Sequence, residues 1–182
     1  GERKTYHRGR RKKKKGGIIS TLIFIIAIAV FCVSGYQLYK IFGGYHQGKS
    51  EYDKVREVAV HGDDKDEDEF VVDFDELKKI NADTVGWIRF YPEPSQISYP
   101  LVQTTDNDLY LNRTFSANEN TVGAIFVNCD NASDFSDRNT IIYGHRMRDH
   151  SMFHDLEKYK DESFWKENPY FYIYTPDGRK LT

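Results

Sequence analysis

His145 closes the run Ile142-Tyr143-Gly144-His145, with Arg146 behind it, and it is the side chain best suited to chemistry in this sequence. Thr140 to His145 is a short apolar run of the kind that forms a buried strand. The imidazole therefore stands where the strand gives out, at the rim of a sheet. A rigid strand fixes the ring while its tip meets substrate, and imidazole titrates near neutrality, so this is a proton-transfer position. A nucleophile to work beside it is harder to find. Cys32 lies inside an apolar stretch, and Cys129, in Val127-Asn128-Cys129-Asp130, precedes the histidine strand. Neither is a convincing nucleophile; Cys129 reads as a small, partly buried side chain.

A second histidine pattern lies just downstream. His150 and His154 are four residues apart, with Asp149 and Asp155 beside them. On a helix that spacing puts both rings on one face, where they can share a metal. The glutamate of the metalloprotease pattern is missing, and surface histidines near a helix start are the more ordinary explanation. No metal and no cofactor is expected.

The elements that must position His145 follow from the hydrophobic pattern. Asp73-Phe74-Asp75-Glu76 has the form of a capping box, with Phe74, Leu77 and Ile80 as one helix face. Val85 to Phe90 and Ile97 to Gln103 are strand candidates, and Pro100 marks the second as an edge or bulge. Asp108 to Phe115 is expected as a short helix. Val122 to Asn128 is another buried strand. Ser151 to Glu167 has Met152, Phe153, Leu156 and Tyr159 at helical spacing, ended by Asn168-Pro169. Tyr170 to Tyr174 and Arg179 onward form a hairpin around Thr175-Pro176-Asp177-Gly178. Its second strand has barely begun at Thr182, so the domain is expected to continue beyond that residue.

Charge divides the chain. Residues 1–15 hold nine Lys/Arg and one Glu, a net +8, so the remainder of this 182-residue chain carries −10. Ile18 to about Gly35 is almost wholly apolar, and about 20 such residues span a bilayer as a helix. The preceding Arg10 to Lys15 predicts a cytoplasmic N-terminus and an exported C-terminal bulk, with Tyr36 and Tyr39 at the outer interface. The apolar run continues past Ala27-Ile28-Ala29, so an uncleaved anchor is expected rather than a signal peptide. A basic run this close to the membrane is a topology signal, and no nucleic acid is expected as partner. One exported cysteine gives no disulfide framework. The resulting organisation is a basic cytoplasmic tail over 1–17, a membrane anchor over 18–39, a charged stalk over 40–70 and a globular domain over 71–182. Within the stalk, Glu51 to Val60 is a short helix candidate and Asp63 to Glu69 a solvated acidic run.

From Asp73 onward the sequence resembles the class B sortases of Gram-positive bacteria. The resemblance rests on Leu77-Lys78-Lys79-Ile80-Asn81 leading into Val85-Gly86-Trp87-Ile88, on Ile97-Ser98-Tyr99-Pro100-Leu101-Val102-Gln103, and on Asn107 with Tyr110-Leu111. It continues through Gly123-Ala124-Ile125-Phe126 and Asn139-Thr140-Ile141-Ile142-Tyr143-Gly144-His145, followed by Met152-Phe153. It implies a mainly β fold with helices, a sortase-like β-barrel, incomplete here and preceded by the transmembrane helix. It also implies a cysteine transpeptidase that cuts a C-terminal sorting signal from a secreted protein and joins that protein, through a thioester, to a peptidoglycan-precursor or pilin amine. By resemblance His145 is the acid/base, Asn107 and Leu111 line the substrate groove, and Tyr143 helps shape the site. The family's cysteine and arginine come from a later strand and the region after it, and nothing here matches them. The chain is thus expected to be an N-terminal piece of such an enzyme, inactive alone. The rival reading is a non-catalytic anchored ectodomain, a degenerate sortase fold that binds a cell-surface ligand.

Overall fold

The structure, a computed structural model, describes residues 16–62 and 69–182. The basic tail over 1–15 and most of the acidic run after Gly62 lie outside the described residues. Two compact units divide the chain, Gly1–Lys40 and Ile41–Thr182.

A single helix, α1, runs over Gly16–Ala59. Its first half is apolar, with Ile23, Phe24, Val30 and Phe31 all exposed, and it is long and apolar enough to cross a membrane. Its second half belongs to the other unit and differs in kind. Tyr45, Gly48, Tyr52, Val55 and Ala59 recur at steps of three and four, which puts them on one helix face. Tyr52, Val55 and Ala59 are buried in the core, and Tyr45 packs against it. The region expected as a charged stalk therefore contributes a core helix. The heptad-like spacing was there to be read, but the surrounding charges masked it. Strands β1 (Val60–His61) and β2 (Val71–Val72) follow as a small antiparallel pair, and Phe70 beside them is buried.

Helix α2 (Phe74–Ile80) starts as its cap predicts: Asp73 accepts from the Glu76 N–H at 3.0 Å. The reciprocal half of the box is absent, because the Asp73 N–H donates instead to the Ala59 carbonyl. Of the expected apolar face only Leu77 is fully buried; Ile80 is exposed.

The main sheet has six strands: β3 (Thr84–Phe90), β4 (Ser98–Val102), β5 (Ile125–Val127), β6 (Ile142–Tyr143), β7 (Phe171–Tyr174) and β8 (Lys180–Leu181). Their spatial order is β6-β5-β4-β3-β7-β8, and the sheet is not closed. Among the described residues only β4 and β5 pair in parallel. Pro100 lies in an interior strand, not at an edge. It sits opposite Trp87 of β3, and pairing with β5 begins only at Leu101, so its missing N–H costs no bond to β5. The bulge lies in β3, between Thr84 and Gly86. Trp87, Leu101, Phe115, Ile125 and Val127 are fully buried, each such large apolar side chain contributing about 1.5–3 kcal/mol. Trp87 Nε1 donates to Ser98 Oγ at 3.0 Å, which satisfies its one polar atom.

Ser151 to Glu167 is not one helix. A 3₁₀ segment, His154–Lys160, is followed by α3, Glu162–Glu167. Met152 has a positive φ and cannot join a helix. Asp161 is extended and caps α3 by accepting from Ser163 N. Phe153, Leu156 and Tyr159 are spaced by three, the repeat of a 3₁₀ turn, and all pack on the core. An open apolar groove of about 460 Å³ is left beside them, lined by Ile88, Phe90, Ile142, Phe153, Leu156 and Phe171 among others.

Candidate active site

A parallel β4–β5 pair needs a long crossover, and here it is the stretch from Gln103 to Ala124. This crossover carries Asn107 and Leu111. It is rich in Asp, Asn and Thr, whose side chains bond to nearby backbone and compete with helix. Asp106 Oδ1 accepts from both Asp108 N and Leu109 N at 2.8 Å. Those two N–H groups hold its carboxyl below the usual range. The expected helix over 108–115 shrinks to one 3₁₀ turn, Leu109–Leu111.

The second half of α1 clamps the same crossover. Tyr52 Oη donates to the Gly123 carbonyl at 2.8 Å and accepts from Phe115 N. Burial pushes this phenol well above its ordinary pKa, so it stays a donor. Glu51 accepts from Ser116 N and from Asn118 Nδ2, both at 3.0 Å.

His145 sits just past β6, half-buried. Its Nε2 lies 2.6 Å from the Leu111 carbonyl. A carbonyl only accepts, so Nε2 carries a proton and Nδ1 is the nitrogen left to take or release one. Two glycines permit this geometry. Gly123 has φ +65°, and a Cβ there would meet the Leu111 and Tyr110 carbonyl oxygens at 2.9 Å and the His145 ring at 2.8 Å. A Cβ on Gly144 would lie 2.4 Å from Ile125 Cδ1 and 2.6 Å from Phe153 Cδ2. The His145 carbonyl accepts from Phe153 N at 2.9 Å, which holds the main chain on its other side. Arg146 turns away to Glu157; hydrogen bonds from Lys160 and Arg146 hold that carboxyl down at about 2.

Asn107 and Tyr143 meet through Asn128. Asn107 Nδ2 donates to Asn128 Oδ1 at 3.4 Å, and Asn128 Nδ2 to Tyr143 Oη at 3.3 Å. The Tyr143 ring packs on Phe126, centroids 5.1 Å apart. Asn107 Oδ1 also accepts from Cys129 N at 2.9 Å. The four residues singled out in the sequence thus form two pairs, His145 with Leu111 and Asn107 with Tyr143. Leu111 enters through its main-chain carbonyl, and no side-chain pattern announces such a role. Asn128, Gly123 and Gly144 were not singled out for positioning; Gly123 is required by its positive φ and Gly144 by the close approach of Ile125 and Phe153.

Cys129 is half-buried and lies at the far end of the ladder from His145. Val127 pairs with Ile142 and Phe126 with Tyr143. Cys129 and His145 are therefore offset by five register positions, roughly 15 Å at the rise of a strand. That distance keeps its thiol from working with this imidazole.

No family model matches the chain. Two curated relatives do. Sortase B of Listeria monocytogenes is 35% identical over 155 residues, covering 81% of this chain and 60% of the relative. Sortase B of Staphylococcus aureus is 30% identical over 148 residues, with the same coverages. The crystal structure of sortase B from Bacillus anthracis superposes with a TM-score of 0.63 at 35% identity, covering 73% of this chain and 63% of that one. The chain spans about 60% of the length of the curated relatives it matches. Sequence and fold agree over that stretch, and the chain is homologous to the class B sortases.

Proposed function

We propose that this chain is the membrane-anchored, histidine-bearing part of a class B sortase. The observation that carries the reading is the His145–Leu111 contact at the end of β6. It commits Nε2–H to a carbonyl and leaves Nδ1 for proton transfer. In the proposed reaction a cysteine thiolate, supplied by a part of the enzyme that this chain does not align with, attacks the scissile carbonyl of a sorting signal. The S–C bond forms, the peptide C–N bond breaks, and imidazolium delivers its proton to the leaving amine. An acceptor amine of peptidoglycan precursor or pilin then attacks the thioester: the C–N bond forms, the C–S bond breaks to release the thiolate, and the amine's proton returns to the imidazole. Asn107, with Tyr143 beside it, is proposed to line the groove for the signal peptide, and Leu111 to form its wall near the histidine. Support comes from the homology and from the way the crossover holds Leu111 and Asn107 beside the β5–β6 ladder.

The apolar half of α1 supports a single-pass anchor, and the basic residues before it support a cytoplasmic N-terminus with the domain outside. Protease added to intact cells is expected to remove the C-terminal domain; full protection would reverse the orientation.

The test of function uses the protein expressed from its complete gene. It is expected to transfer a sorting-signal peptide to an amine, with a thioester intermediate visible by intact mass. His145→Ala is expected to lower the rate about 10²-fold or more while leaving the fold intact. An unchanged rate in that variant, or a complete gene without a cysteine downstream of the histidine, would overturn the reading.

A further inference from the structure

His150, His154 and Asp155 come together as a cluster that the transpeptidation chemistry does not use. One ligand atom from each lies within 4.8 Å of the others, and the two imidazole rings sit 4.1 Å apart, centroid to centroid. His150 Nδ1 is 3.4 Å from Asp155 Oδ1. Two ligands at zinc bonding distance on a tetrahedral ion are separated by about 3.4 Å, so the spacing matches, and metal binding would displace the proton that this pair shares.

The surroundings are those of a ligand set. His154 Nδ1 contacts the Met147 carbonyl, which can only accept. That bond fixes the tautomer and leaves the Nε2 lone pair for a metal, the support that metal-bound histidines ordinarily receive. Asp155 is buried, 6% exposed, and Lys158 Nζ holds its other oxygen, Oδ2, at 2.9 Å. With Oδ2 held by Lys158, Oδ1 is the oxygen aimed at His150. The His150 side chain is 70% exposed, which leaves one side of the cluster to solvent.

We propose that His150, His154 and Asp155 form a three-ligand site for a zinc-like divalent cation, with the fourth position open to water. Two imidazoles select borderline transition ions over Ca²⁺ or Mg²⁺, which prefer oxygen donors. The neighbouring Lys158 charge further disfavours ions that bind by charge alone. The site differs from the helical reading of the sequence: the two rings approach through the turn at Met152, not across one face of a helix.

The full 182-residue chain in detergent is titrated with Zn²⁺ by calorimetry and with Co²⁺ by visible absorption. The expected result is one ion per chain and the intense visible band of tetrahedral Co²⁺. His150→Ala and His154→Ala are each expected to weaken binding about tenfold or more, and His61→Ala, outside the cluster, to leave it unchanged. The exposure of His150 makes its variant safe for the fold. Absence of heat and of the Co²⁺ band would overturn the site. So would binding that survives His150→Ala and His154→Ala together.

Discussion

The two ends of the β5–β6 ladder are built by opposite means. At the His145 end the ring is held by a main-chain carbonyl and by two close approaches that only glycine allows. At the Asn107 end a relay of side-chain amides, Asn107 to Asn128 to Tyr143, spans the surface with longer bonds. The first arrangement leaves little room to move, because carbonyls and ring carbons cannot give way. The second can exchange its partners for water at little cost. The contrast suits the roles proposed above, proton transfer at His145 and a peptide groove at Asn107.

Substitutions can sharpen or break that contrast. Gly123→Ala is expected to have the largest effect, about 3 kcal/mol of stability, from a positive φ and two backbone oxygens at 2.9 Å. Thermal unfolding measures it; a loss below 1 kcal/mol would mean that the carbonyls yield and the His145 end is soft. Tyr52→Phe comes next, at about 2 kcal/mol, since it strips a donor from the buried Gly123 carbonyl and an acceptor from Phe115 N. Gly144→Ala should cost about as much, because Phe153 must shift by its ring, though Ile125 Cδ1 can rotate away. Asn107→Ala is expected to cost about 1 kcal/mol, the loss of the Cys129 N–H acceptor at a half-buried site. Tyr143→Phe is the smallest, about 0.5 kcal/mol or less, since the ring keeps its contact with Phe126 and water can replace the hydroxyl. A Tyr143→Phe cost equal to that of Gly123→Ala would erase the distinction between the two ends.

Acid should loosen the clamp between α1 and the crossover. Burial raises the Glu51 pKa, but hydrogen bonds from Thr114, Asn118 and Ser116 outweigh it and depress the folded-state value. Its contribution is therefore present above the unfolded value near 4.5 and is lost as pH falls through the folded one. Glu51→Gln is expected to flatten the acid limb of a stability–pH curve; an unchanged limb would remove Glu51 from the clamp.

Much was legible in the residues because it is local. The apolar half of α1, the Asp73 cap, the strand runs and the place of His145 at a strand end all follow from periodicity and from residues that start or stop an element. Tertiary structure decided the rest. It put Pro100 in an interior strand, because the partner on one side begins one residue later. It drew the 45–59 stripe into the core despite its charged neighbours, and it broke the 151–167 helix at residues whose backbone was already committed elsewhere. It also chose a carbonyl, at Leu111, to hold the imidazole. Main-chain groups are alike in every residue, so their partners are set by how the chain crosses over the sheet, and no side-chain pattern records that choice.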